Sequence, residues 1–211
     1  MPVLGLDSAD ISLNQYLESL LNPGEELVDW DLHFFDTQQA TLCGFHRELI
    51  SSARLDNLAM VHAALRALTE TPPSERHIQG VILFHNEEIG SLSWQGAQSS
   101  FAPQTLDRLF SALQVPRDLS YSVLNRSLLI SADMAHAIHP MHEDRHDPQH
   151  KPRINQGPVI KINAARRYAT EAMTAAKFRE ICRMANVPVQ NFCARNDQRC
   201  GSTIGPTLTA L

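Results

Sequence analysis

The stretch that decides the fold is Gly80-Val81-Ile82-Leu83-Phe84, which runs straight into His85-Asn86-Glu87-Glu88-Ile89-Gly90-Ser91. Five apolar or small residues in a row, bounded by polar loop residues, read as a strand buried on both faces of a parallel sheet. Working outward, Ser127 to Ala132 (SLLISA) reads as a second buried strand, Gly157 to Asn163 (GPVIKIN) as a third, and Val187 to Arg195 (VPVQNFCAR) as a fourth. Segments of helical period lie around and between them. Leu58, Val61, Leu65 and Leu68 recur at three and four from Arg54 onward until Pro72 and Pro73. Leu106, Leu109, Phe110 and Leu113 mark another helix beginning near Pro103, and Phe178, Ile181, Cys182 and Ala185 a third. Strands alternating with helices imply an α/β sandwich around a mostly parallel sheet.

The amino-terminal part has a different pattern. Leu13, Tyr16, Leu17, Leu20 and Leu21 share one helical face. Ser12 and Gln15 have capping-box spacing, and Asn22-Pro23-Gly24 stops the helix. Val28, Trp30, Leu32 and Phe34 then alternate with Asp29, Asp31 and His33, the period of a strand with one wet face. A short run from Ala40 to Phe45 is expected to pair nearby. The segment His142 to Arg153 (HEDRHDPQHKPR) is polar and broken by proline, and reads as a loop.

Composition bounds the function. With 211 residues, 43% hydrophobic and 19% charged, the chain is globular. A net charge of −5 argues against general nucleic-acid binding. No apolar stretch reaches the roughly 20 residues of a membrane span, and no secretory signal is visible at the start. Four scattered cysteines, none in CxxC spacing, form neither a disulfide framework nor a thiolate zinc site. A reduced, cytoplasmic protein is the simplest expectation.

In an open α/β sheet, ligands bind beyond the carboxyl ends of strands. Glu87 and Glu88 follow one strand, Asp133 follows another, and Asp56 opens the helix from Arg54. Gathered carboxylates repel one another, and a divalent cation relieves that conflict. Carboxylates alone suit magnesium; added imidazole favours zinc, cobalt or manganese. Of two adjacent glutamates, one can bind metal while the other acts as a base. Each residue also has a plainer role: Asp56 as partner of the helix dipole, the others as solvated loop acids. His85 reads as a ligand, an acid/base group or a hydrogen-bonded histidine at a strand end. His142, His146 and His150 are spaced by four, but Pro148 argues against the helix that would make them a metal face.

RLDNL (54–58), NEEIGS (86–91), SADMAHAIHP (131–140), GPVIKIN (157–163), RYAT (167–170), VPVQ (187–190) and CGSTIGP (200–206) together resemble the aspartyl aminopeptidase family, with FDTQ (35–38) alongside. The likeness runs from about Leu27 to about Thr207. These are cytoplasmic metallopeptidases with two zinc ions. The resemblance implies that Asp56 bridges the two zincs, Glu88 and Asp133 each bind one, and Glu87 is the general base. It places Lys161 and Tyr168 along the pocket for an acidic substrate side chain, and His139 near the active site. It implies an incomplete catalytic domain over 51–211, a three-layer sandwich. Residues 1–50 would hold the first helix and remnant strands of an inserted β-rich dimerisation domain, through which the family forms homo-oligomers. The implied substrate is a peptide with aspartate or glutamate at its amino terminus.

The family's two zinc-binding histidines lie in a His-x-Asp segment upstream of the bridging aspartate and a Met-His-Ser segment after CGSTIGP. Neither segment falls within residues 1–211. His85 stands where the family usually has an acid, and Met141 where asparagine is common. Each metal is therefore expected to lack an imidazole and activity to be impaired. The alternatives are a non-catalytic assembly or binding protein with this fold, and a working hydrolase in which His85 or the 136–150 histidines replace the absent ligands.

Overall fold

The computed structural model describes residues 12–210, in two compact units that meet in sequence at Ala53/Arg54. In the first unit, helix α1 (Leu13–Glu18) carries the capping box in full. Gln15 N–H donates to Ser12 Oγ at 3.2 Å, and Ser12 N–H to Gln15 Oε1 at 2.8 Å. Strands β1 (Thr41–Cys43) and β2 (Leu49–Ser51) form an antiparallel hairpin, with Thr41 opposite Ser51 and Cys43 opposite Leu49. The turn between them uses Gly44 at φ +92°, a conformation glycine adopts without penalty. The alternating stretch 28–34 is not a strand: it has no ladder partner among the described residues, and Val28 and Phe34 are about nine-tenths exposed. A period of two encodes a pleated segment but not the neighbour that would pair with it.

The second unit begins with α2 (Leu55–Glu70). Helix α3 (Phe101–Ala112) buries Ala102 and Phe110, and Phe101 meets Phe84 edge-on at 6.4 Å. Helix α4 (Arg117–Asn125) is an element the apolar periodicity did not reveal. Its signals are Pro116 at the cap and Asp118 in the first turn. Strands β3 (Val159–Ile162) and β4 (Gln190–Cys193) lie parallel, with Val159 opposite Gln190 and Ile162 opposite Cys193. They are connected through α5 (Ala172–Met184), whose Cys182 is buried. Helix α6 (Gly205–Thr209) closes the described chain.

The architecture is mixed α/β, but two of the four expected buried strands are absent. Residues 80–84 and 127–132 have no ladder partner among the described residues. Ile82, Leu83, Leu128, Leu129 and Ile130 are all exposed. An apolar run carries the side chains for two-sided burial, while the burial itself depends on covering layers. The 142–153 segment also departs from a plain loop, since Pro140–Arg145 winds into a 3-10 helix. No helix among the described residues is long and apolar enough to cross a membrane.

Candidate active site

Three separate stretches deliver acids to one region of the second unit. Asp56 sits in the first turn of α2, where Asn57 Nδ2 donates to the Ala132 carbonyl at 2.8 Å. That bond ties the start of α2 to the residue before Asp133. Glu87 and Glu88 lie in a turn after Phe84. Asn86 holds a left-handed φ of +61°, and its side-chain oxygen accepts from Ser93 Oγ at 2.7 Å. Gly90 N–H closes on the Glu87 carbonyl at 2.9 Å, and Ser91 N–H on the Asn86 carbonyl at 2.8 Å. The turn is packed from behind by Gly96, where an added Cβ would stand 2.2 Å from the Ser91 carbonyl oxygen. Gly96→Ala is therefore expected to displace the turn and cost about 2 kcal/mol. Urea unfolding checks this; a variant as stable as the parent would show that the turn yields freely.

Lys161, on β3, donates to Asp133 Oδ2 and, at 2.5 Å, to the Met134 carbonyl. The Lys161 and Asp133 side chains are 14% and 24% exposed, so this is a sheltered ion pair. The ammonium also stands 5.6 Å from the centre of the Tyr168 ring. Tyr168 is buried, and its hydroxyl shares a hydrogen bond of 3.1 Å with Cys200 Sγ. Burial first, then the bond to Cys200, pushes the phenol pKa upward, so Tyr168 stays neutral at physiological pH.

The carboxyls feel one another. Loss of solvation raises the Asp56 pKa, followed by the charges of Asp133 and Glu88 and a hydrogen bond with Asp133; Lys161 opposes the shift. Glu87 is raised in the same way, by burial first and then by Asp133, Glu88 and Asp56, again against Lys161. Asp56 and Glu88 remain exposed as residues, so solvent screens part of this repulsion. The folded, metal-free chain thus holds protons on Asp56 and Glu87 at a pH where the unfolded chain has released them. Their contribution to stability is full below the ordinary values of 3.8 and 4.5 and is lost as pH climbs through the raised values. With chelator present, the thermal midpoint of Glu87→Gln should fall less than that of the parent as pH rises from about 4 to 7. Equal slopes would contradict the crowding.

The structure brings Asp56, Glu87, Glu88, Asp133 and Lys161 into one electrostatic cluster, with Tyr168 against Lys161. His139 is engaged elsewhere: exposed, it caps the 3-10 helix by accepting from Met141 N–H, and its ring lies 5.3 Å from that of His142. The 142/146/150 histidines do not form a face. His146 packs edge-on to Phe192 and His150 bonds Asp147 at 2.7 Å. His85 is exposed, and its N–H closes the loop onto the Gln95 carbonyl.

Among the described residues no three His, Cys, Asp or Glu side chains are drawn up as a ready-made metal cluster. The donor chemistry nevertheless fits a divalent cation. Several carboxylates share a small region, Asp56 and Glu87 are driven toward protonation, and Asp133 already takes a cation in the form of the Lys161 ammonium. Asn57 Oδ1 and Ser131 Oγ are buried there without partners. Asn57 and Cys200 belong to the stretches RLDNL and CGSTIGP without a role of their own in the sequence reading, and Ser93 lies outside every quoted motif. The contacts of Asn57, Ser93 and Cys200 reach across 75, 7 and 32 residues, and periodicity does not encode such pairings.

The family described as "Aminopeptidase I zinc metalloprotease (M18)" matches residues 9–211. A probable M18 family aminopeptidase 2 of Pseudomonas paraeruginosa is 47% identical over 85% of this chain and 41% of its own length. A probable aspartyl aminopeptidase of Ricinus communis is 43% identical over 89% of this chain and 39% of its own. Among solved structures, the S. cerevisiae mApe1 dodecamer superposes with a TM-score of 0.66 at 31% identity, over 75% of this chain and 37% of that one. The chain thus spans about two fifths of the length of these curated relatives. Its match to the family extends over nearly all of its residues, and the chain belongs to the M18 aminopeptidases, a family of zinc metalloproteases.

Proposed function

We propose that this chain carries the carboxylate part of a two-zinc aminopeptidase site, acting on peptides that begin with aspartate or glutamate. The observation that carries the reading is the gathering of Asp56, Glu87, Glu88 and Asp133 from three stretches of sequence. Asp56, Glu88 and Asp133 would hold the metal, with Asp56 between the two ions. Zinc bound there would supply Lewis acidity toward a carbonyl oxygen and toward water. Glu87 is the proton carrier: its carboxylate oxygen takes the proton of the attacking water and returns it to the departing amine nitrogen. Burial and the neighbouring carboxyls shift its pKa upward, the direction that favours taking up a proton. Lys161 and Tyr168 border the place of the substrate's acidic side chain, and Lys161 can serve there only by loosening its bond to Asp133. His139 is assigned near the substrate through the family resemblance alone.

No imidazole joins the carboxylates among the described residues. Zinc binding and turnover are therefore proposed to be weaker than in a site with mixed ligands. Family membership supports placing segments 80–84 and 127–132 in a three-layer sandwich, with strands before residue 50 from an inserted dimerisation domain. Four free cysteines suit the cytoplasm. The exposed Leu128, Leu129 and Ile130 favour association with further protein layers, and a related chain is a dodecamer. Homo-oligomerisation follows, and it is also the basis of a second reading, a non-catalytic assembly protein.

The test is zinc content by mass spectrometry, together with cleavage of an aspartyl peptide. Weakly held zinc and slow cleavage are expected. Two tightly held ions with brisk turnover would refute the impairment; no zinc uptake would refute the site and leave the assembly reading.

A further inference from the structure

Beyond the carboxyl ends of β3 and β4, a cavity of about 540 Å³ opens between the loop following each strand. Its size lies within the range of ligand pockets, and the end of a parallel pair is where such pockets form. Arg167, Arg195 and Arg199 line it together with Asn163 and Asn196, and no acidic residue is among the lining side chains. The loops are held in shape. Asn163 Oδ1 accepts from Ala165 N–H at 2.9 Å, and Thr203 N–H donates to the Arg167 carbonyl at 3.3 Å. Arg195 is fixed by Asp197 and by the Asp144 carbonyl. The adjacent Arg166 is committed to Glu171. The guanidinium groups of Arg167 and Arg199 have no ion-pair or hydrogen-bond partner among the described residues. Two unpartnered guanidiniums lining one cavity with a third and with the amides of Asn163 and Asn196 have the donor chemistry that suits a carboxylate.

The cavity is linked to the carboxylate cluster by a chain of side-chain contacts. Cys200 lines it, bonds the Tyr168 hydroxyl, and so connects through the Tyr168 ring to Lys161 and Asp133. Lys161, already paired with Asp133, does not serve this cavity. We infer that the Arg167/Arg199 cavity binds acidic side chains of a peptide beyond its amino-terminal residue, extending preference for acidic sequence along the ligand. The choice of a peptide as ligand rests on the aminopeptidase reading. The cavity itself does not depend on metal.

The test uses the full chain in chelator, where no zinc-dependent cleavage takes place. Two peptides begin with aspartate and differ only in three following residues, all glutamate or all glutamine, each dye-labelled at its carboxyl end. Fluorescence anisotropy should show the glutamate peptide binding about tenfold more tightly. The doubly substituted Arg167→Gln/Arg199→Gln chain should bind both peptides at the level of the glutamine peptide, with an unchanged circular dichroism spectrum. Both arginines are exposed, so folding is preserved. High salt should also erase the preference. Equal binding of the two peptides by the parent chain, no measurable binding of the glutamate peptide, or a preference that survives in the double variant would each overturn the inference. A failure of zinc uptake in the separate metal assay would strike the catalytic reading and leave this result standing.

Discussion

Asp133→Ala should lower zinc affinity at least about 100-fold and destabilise the metal-free chain by about 2–3 kcal/mol. The two effects have different causes. Asp133 acts on most of the cluster: it pairs with Lys161 and adds to the upward shift of both Asp56 and Glu87. Removing it takes away a proposed ligand. It also leaves the ammonium of the Lys161 side chain, 14% exposed, with the Met134 carbonyl and the Tyr168 ring but no counter-charge bonded to it. A sheltered charge that loses its partner costs more than the pair contributed, because its desolvation is no longer offset. Calorimetric zinc titration and chemical denaturation measure the two effects separately. Lys161→Met in the same background should recover part of the lost stability and none of the zinc affinity. If Asp133→Ala binds zinc like the parent, Asp133 is not a ligand.

The second large effect is on the scaffold. Gly157→Ala should destabilise the chain by more than about 3 kcal/mol. Gly157 has φ +88°, and a Cβ built there would lie 1.9 Å from the Pro188 carbonyl oxygen. The obstacle is backbone, which no rotamer change relieves. Relief requires the chain before β3 to move away from the chain before β4, where Gln190 N–H donates to the Pro158 carbonyl at 2.9 Å and Gln190 Nε2 to the Gly157 carbonyl at 3.3 Å. That movement would shift Lys161, three residues into the register opposite Phe192. Denaturant unfolding and a loss of protection at the β3 amides in hydrogen exchange are the readouts. A variant that unfolds at the parental midpoint would show that the two strands are not held this closely.

Where a segment's partner is local, the sequence was readable. The Ser12/Gln15 box, α2 ending at the Pro72-Pro73 break and the burial of Phe110 on α3 were legible from spacing and side-chain type; β3 and β4 were legible as strands, though not their pairing with each other. The segments 28–34, 80–84 and 127–132 were not, because alternation or an apolar run specifies what a strand needs and not whether a neighbour provides it. Helix α4 escaped notice because its sequence, RDLSYSVLN, buries only Ser120 and so shows no strong apolar stripe. The acids themselves stood out by their position after apolar runs. Their meeting at one site was implied by the family resemblance and not by spacing, since it depends on contacts such as Asn57 with Ala132, 75 residues apart. Spacing did not show the Lys161–Asp133 pair either, which sets two residues singled out for different roles against each other. The spaced histidines show the converse: a regular interval of four on paper, broken in space by the 3-10 helix and Pro148.

The most direct test of the central claim is an anomalous-scattering map from crystals of the full chain soaked in zinc. A metal peak is expected at roughly 2.0–2.2 Å from carboxylate oxygens of Asp56 and of at least one of Glu88 and Asp133. A peak confined to the 142–150 histidines, or zinc-free carboxylates turned toward separate parts of the surface, would contradict it.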